Sequence, residues 1–254
     1  MDKFEKIKKA YDRCAPDYDA AASLQRSLAD RLVDVIQADS VEFSSVLDIG
    51  CGTGYLLGEI SAYIYGVGCD ISFGMLACAR MGHFSAAARY VQSDARALPF
   101  IDSVFDIVVS NAAYQWLEDL ALVFRKTKAV LKPAGRFYFT IFNNRTLWQL
   151  KEVCGGMNIA SANFPDKAKV FSSLQNAGFE IDLIETHCYE KYYKDLWGLL
   201  GALKNIGSTS ADNKNINGFG WRRILNKAND LYLKKFGNSK GLPATYEAFL
   251  VKAC

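Results

Sequence analysis

The chain reads as an α/β fold, a mostly parallel sheet covered by helices on both faces. Three observations predict it. Between about 45 and 142, strand-like and helix-like stretches alternate. The strand-like runs are continuous rather than alternating in hydrophobicity, as expected of strands buried on both faces. The first run closes in the glycine-dense turn VLDIGCGTG (46–54), which marks a backbone that must approach a ligand.

The elements follow in order. Leu24, Leu28 and Leu32, with Val33, Val35 and Ile36, form an apolar stripe from about 22 to 37 and predict a lead-in helix. Strands are expected at SVLDIG, GVGCDI, RYVQSD, FDIVVS and GRFYFTIF. Helices separate them at YLLGEISAYI, SFGMLACARM and LEDLALVFRKTKAVL. In the last of these, Leu120, Val123, Phe124 and Leu131 recur near helical spacing, and Lys132-Pro133-Ala134-Gly135 supplies a helix stop. Crossovers between such strands are right-handed. Residues 143–165 lack a regular pattern, and a helix is expected at 166–177 ending at Gly178. A strand at 179–193 and a terminal one at 245–254 enclose a helical stretch, 194–236, broken by the polar turn GSTSADNKNINGFG. The expected division is a lead-in over residues 1–40 that covers the site, and a main domain over 41–254 with a helical insertion at about 194–240.

Composition narrows the function. The 254 residues are half hydrophobic with a formal net charge of +3, enough for one large core. No run of about 18 apolar residues occurs, and the charged start MDKFEKIKKAYDR has no secretory apolar stretch. Seven cysteines, widely spaced and without a CxxC pair, argue for reduced thiols and a cytoplasmic protein rather than a disulfide or zinc scaffold. With two histidines, His83 and His187, no metal site is expected. Basic residues gather at Lys3, Lys6, Lys8 and Lys9, and again from Lys214 through Arg222, Arg223, Lys227, Lys234 and Lys235 to Lys240. They serve as solvated helix faces or as a docking surface for an acidic partner. No nucleic-acid-reading motif accompanies them.

The glycines define the ligand by exclusion. A phosphate-binding GxxxxGK[ST] loop is absent, and Gly50-Cys51-Gly52-Thr53-Gly54 is GxGxG rather than the dinucleotide GxGxxG. Asp48 beside the loop would repel a pyrophosphate but suits an ammonium or the water around it. Asp70 lies 22 residues further on, at the end of the second strand, where an acid can accept from both ribose hydroxyls. Asp94 ends the third strand and can face an adenine amino group. Three acids at successive strand ends, with no base aimed at phosphate, describe a site for a cationic adenosine: S-adenosyl-L-methionine, leaving as S-adenosyl-L-homocysteine.

The motifs VLDIGCGTG, GCDIS, SDARALPF, FDIVVSNAAYQW and LKPAGRF, in that order over about 40–142, resemble those of the class I S-adenosylmethionine-dependent methyltransferases. The resemblance implies a Rossmann-like, mostly parallel seven-stranded sheet, with the helical insertion as a cap between the last two strands. It also implies that Gly50, Cys51, Gly52 and Gly54 wrap the methionine moiety and that Asp70 holds the ribose. Ile71 and Met75 would flank the adenine, Asp94 and Ala95 read its edge, and Asn111 lies beside the sulfonium.

The acceptor is less directly encoded. Amines, phenols and carbon acids need a base, whereas a carboxylate is ionised already, and the aromatic and amide residues after strand four modestly favour it. A second resemblance is closer. The lead-in AYDRCAPDYDAAASLQRSLADRL, with Tyr18, Leu24 and Gln25, is similar to that of the malonyl-acyl-carrier-protein O-methyltransferases of biotin synthesis. So are SNAAYQW (110–116), LKNIGSTS (203–210) and LPATYEAFL (242–250). The likeness thins at about 150–180 and at 211–240. It implies methyl esterification of a malonyl thioester's free carboxylate, on acyl carrier protein or coenzyme A. A monomer that binds neither membrane nor nucleic acid is expected. The resemblance assigns Gln25 to the cofactor, Tyr18 to closure over cofactor or substrate, and Gln115 and Trp116 to the acceptor pocket. A malonyl carboxylate calls for a cation, for which Arg145 in FNNRTLW is the first candidate and Lys204 the second. Two other readings stay open: methylation of a small free acid or a quinone ring carbon, and a scaffold that binds cofactor without turnover.

Overall fold

A computed structural model describes residues 3–60, 63–82, 87–154, 164–208 and 219–254. Its centre is a seven-stranded sheet built from β1 (Ser45–Ile49), β2 (Tyr65–Asp70), β3 (Ala88–Gln92), β4 (Phe105–Asn111), β5 (Leu131–Phe142), β6 (Ile181–Tyr193) and β7 (Leu242–Ala253). The strand order is β3-β2-β1-β4-β5-β7-β6. β1 to β5 pair in parallel, whereas β7 runs antiparallel to both β5 and β6. The order reverses between β1 and β4, so the crevice above their carboxyl ends is the natural ligand position.

Helices follow from apolar spacing plus local caps. The chain opens with α1 (Lys3–Cys14), a single 3₁₀ turn, α2 (Tyr18–Ala21) and α3 (Ser23–Ala38). Ala29, Leu32 and Ile36 of α3 are buried against β1, β4 and α4 (Tyr55–Glu59), forming the core on one face of the sheet. α5 (Phe73–Met81) starts where Ser72 caps the Met75 N–H, and α6 (Leu120–Val130) where Asp119 caps that of Leu122. α6, with α8 (Lys167–Asn176), covers the other face over Phe137, Phe139 and Val108. A third apolar cluster joins α3 and β7 to α7 (Trp148–Cys154), α9 (Leu196–Asn205) and α10 (Phe219–Phe236). α9 and α10 fall between β6 and β7, as the sequence predicts.

Four expectations need correction. The helix expected at 55–64 stops at Glu59, where Ile60 turns extended (ψ 109°). Lys132-Pro133-Ala134-Gly135 is not a helix stop: α6 has ended at Val130, and this stretch lies within β5, beside a register shift in its pairing with β4. There Ala134, not Gly135, takes the left-handed conformation (φ 63°). Gly135 is needed for space, since a Cβ would sit 2.9 Å from the Lys132 carbonyl oxygen. The irregular stretch 143–165 contains α7, whose short length gave no readable periodicity. The last strand begins earlier than expected, at Leu242, and tolerates Pro243. The polar turn at 209–218 and His83 lie outside the described residues.

Candidate active site

Strand alternation decides which end-of-strand residues meet the crevice. Ile49 lines it, so its neighbour Asp48 points to the other side of β1, where it is 1% exposed. The backbone then turns through Gly50 (φ 74°), Gly52 (φ 54°) and Gly54 (φ 86°). A Cβ on Gly50 would come within 2.5 Å of the Ala113 Cβ, so only glycine permits this approach of the turn to the loop after β4.

Two adjoining cavities lie over the carboxyl ends of the strands. The larger, about 800 Å³, is lined by Gly50, Gly52, Asp70, Ile71, Met75, Asp94, Ala95 and Asn111, all singled out from the sequence. It is also lined by Phe4, Ile7 and Tyr11 of α1 and by Ala112, Ala113 and Leu117 beyond β4. The smaller, about 490 Å³, is lined by Gln25, Gln115, Phe142, Thr146, Leu203, Ile206 and Tyr246 among others. Tyr11, Tyr18, Ala112 and Trp116 line both and so stand at the junction.

The charges in the larger cavity are acidic. Burial raises the pKa of Asp70, against the opposing effect of the Ser72 N–H at 2.8 Å and the Gly52 N–H at 2.9 Å, which both donate to its carboxylate. Asp94 is also partly desolvated, but hydrogen bonds from Arg96 win, and its pKa falls below the ordinary carboxylate range. The guanidinium places Nη2 2.6 Å and Nε 3.0 Å from Asp94, while its carbon lies 3.6 Å over the Phe4 ring. The adenine-reading carboxylate expected at Asp94 is thus already gripped by a side chain that the sequence did not point to. Asn111 is similarly engaged: its Nδ2 donates to the Gln25 carbonyl at 2.8 Å, and its Oδ1 accepts from Thr140.

The lead-in is tied down at its turns. Asp12 accepts from Ser72 Oγ at 2.6 Å and from the Gly74 N–H at 2.9 Å, and Thr53 Oγ1 donates to Asp19 at 2.7 Å. Phe4, Ile7 and Tyr11 recur at i, i+3 and i+7, an apolar stripe hidden among the lysines of α1, and this signal could have placed them at the site.

Several residues lie elsewhere than the sequence predicts. Gln25 lines the smaller cavity rather than the one with the acids. Asp48, Cys51 and Gly54 line neither. Cys51 is buried beneath the turn, and Gly54 precedes α4, where a Cβ would press on the Tyr90 hydroxyl at 2.7 Å. Both Asp48 oxygens are buried without a hydrogen-bond partner, and burial, then the nearby Asp70 charge, push its pKa up to about 8. Arg145 is exposed, its guanidinium carbon 5.8 Å over the Trp148 ring, and Lys204 is exposed on α9. Neither lines a cavity, because the chain turns inward at the next position, Thr146, and α9 buries Leu203 instead.

A glycine-walled cleft that brings Asp70 and Asp94 together, and that no lysine or arginine lines among the described residues, fits a cationic adenosine. Known proteins agree. Residues 47–139 match the methyltransferase domain family. A malonyl-acyl-carrier-protein O-methyltransferase from Geobacter sulfurreducens is 32% identical, covering 95% of each chain. One from Methylovorus sp. is 31% identical over 95% of this chain and 86% of its own. The biotin biosynthesis bifunctional protein BioHC of Cellvibrio japonicus is 29% identical over 98% of this chain, which spans 50% of its length. Among solved structures, the YcgJ protein of Bacillus subtilis shares the fold with a TM-score of 0.63 at 20% identity, over 88% of this chain and 97% of that one.

Proposed function

The chain belongs to the malonyl-acyl-carrier-protein O-methyltransferase family, and from that premise we propose that it methylates the free carboxylate of a malonyl thioester on acyl carrier protein, an early step of biotin synthesis. It is an S-adenosylmethionine-dependent methyltransferase. The observation that carries the acceptor assignment is the smaller cavity. Among the described residues, no histidine, lysine, cysteine or carboxylate lines it. Its titratable groups are Tyr11, Tyr18 and Tyr246, all of which burial pushes well above the ordinary tyrosine range. None is a base at neutral pH, so the acceptor must arrive ionised, as a carboxylate does.

Bound in the larger cavity, S-adenosylmethionine supplies an electrophilic methyl on a sulfonium. Gly50 and Gly52 would let the backbone close on its amino-acid end, Asp70 would accept from the ribose, and Ile71 and Met75 would flank the adenine. Tyr18 and Trp116 shape the junction and exclude water, while Gln115, whose amide nitrogen donates to the Ala112 carbonyl, shapes the acceptor cavity that it lines. An acceptor oxygen aligned there takes the methyl, the C–S pair stays on sulfur, and no proton moves. The lead-in acts as the cover of the site through Phe4, Ile7, Tyr11 and Tyr18, and α9 with the turn after it adds Leu203 and Ile206 to the wall of the acceptor cavity.

The test is incubation with S-adenosylmethionine and malonyl, succinyl or acetyl thioesters, or the corresponding free acids, read by mass spectrometry. Gain of one methyl on the malonyl thioester, and none on acetyl, is expected. Cofactor binding without methylation of any acyl thioester would refute the assignment.

A further inference from the structure

A carboxylate acceptor needs a counter-charge, for which the sequence offers Arg145 as the first candidate. Among the described residues, no lysine, arginine or histidine lines either cavity. What does stand at the junction is neutral and rich in donors. Tyr11 and Tyr18 keep their phenolic protons, because burial is the largest influence on both. Neither hydroxyl donates to a described acceptor. The Trp116 indole N–H is buried and makes no hydrogen bond of proper geometry; it is directed at the Tyr11 hydroxyl, with the two rings edge to face at 5.9 Å.

We propose that Tyr11, Tyr18 and Trp116 form a charge-neutral clamp on the acceptor carboxylate, whose counter-charge is the cationic cofactor itself. The inference rests on the carboxylate reading above. Its physical logic is differential binding. As the oxygen takes the methyl its negative charge disappears, so a guanidinium would hold the ground state more tightly than the transition state and raise the barrier. Neutral O–H and N–H donors orient the carboxylate with weaker hydrogen bonds than charged groups make. In a water-poor junction, an adjacent cation then governs whether the carboxylate binds.

The test is calorimetric and does not depend on turnover. Malonyl-pantetheine is titrated into the protein preloaded either with S-adenosylhomocysteine, which is neutral at sulfur, or with sinefungin, which carries an ammonium at the position of the methyl. Binding at least tenfold tighter beside sinefungin is expected, with no such contrast for the methyl ester of the same thioester. Tyr11→Phe and Trp116→Phe should each weaken malonyl binding severalfold and leave methyl-ester binding unchanged, a distinction that a packing defect would not produce. Arg145→Ala, Lys204→Ala and Lys214→Ala should leave malonyl affinity as it was. Equal affinity beside both cofactor forms, or a tenfold loss from any one of these three cation removals, overturns the clamp. Malonyl-pantetheine that is methylated yet binds without regard to cofactor charge sinks the clamp alone. Absence of both binding and methylation sinks the substrate assignment instead.

Discussion

At the residue scale, Asp48 is a fully buried carboxyl whose oxygens have no hydrogen-bond partner among the described residues. A carboxylate in water loses its proton near pH 4, but here burial and the Asp70 charge hold the proton to about pH 8. Between those values the folded protein binds a proton that the unfolded chain does not, so stability falls as pH rises. The free protein should therefore lose stability relative to Asp48→Asn between pH 5 and pH 7.5, by at most about 3 kcal/mol. Urea unfolding of both proteins at the two pH values checks this. Parallel behaviour would mean that Asp48 is ionised in the fold. The glycines around it were legible because φ near +74° at Gly50 demands glycine and leaves a mark in sequence. The partners of Asp94 and Asn111 were not, since a hydrogen bond between side chains leaves no periodicity.

At the element scale, the lead-in is held where α1 meets the start of α5. Gly74 allows the contact: a Cβ there would lie 2.9 Å from the Asp12 carbonyl oxygen and 3.0 Å from its Cα. Within a helix, glycine to alanine stabilises by roughly 0.5–1 kcal/mol through backbone entropy. That gain is outweighed here by the contact with the Asp12 backbone, so Gly74→Ala should displace α1 and lower the melting temperature. S-adenosylhomocysteine affinity should fall about tenfold or more, the equivalent of 1.4 kcal/mol, because Phe4, Ile7 and Tyr11 withdraw from the cavity. Unchanged affinity by calorimetry would show that α1 is not needed to retain the ligand. The lysine-rich sequence of α1 hid this role, because its charges mark the solvent face and its apolar stripe is only three residues long.

At the scale of the whole molecule, α10 presents Arg222, Arg223, Lys227 and Lys234 to solvent, interspersed with exposed Ile224 and Leu231. Lys235 is paired with Glu152, and Lys3 with Glu118 at 3.0 Å, so those two are less available. An acidic carrier protein would be steered by the open cations, and steering weakens as salt shortens the Debye length to about 8 Å at 0.15 M. The kcat/KM for carrier-bound substrate should fall at least fivefold between 50 and 300 mM salt, and much less for malonyl-pantetheine. Equal salt dependence of the two would remove the docking role. The triple change Arg223→Glu, Lys227→Glu and Lys234→Glu should abolish the difference between them.

The sequence by itself determined the alternation of strands and helices, the glycine turn, the acids at the strand ends and the insertion before the last strand. Each depends on local rules: hydrophobic period, backbone conformation and spacing along one strand. Only the tertiary structure decided which side chains face the ligand. It sent Asp48 behind β1, left Arg145 and Lys204 in solvent, and brought Tyr11 from the far N-terminus to stand beside Trp116. The reason is that proximity across a hundred residues is set by how layers pack, and no pattern within a single segment records it.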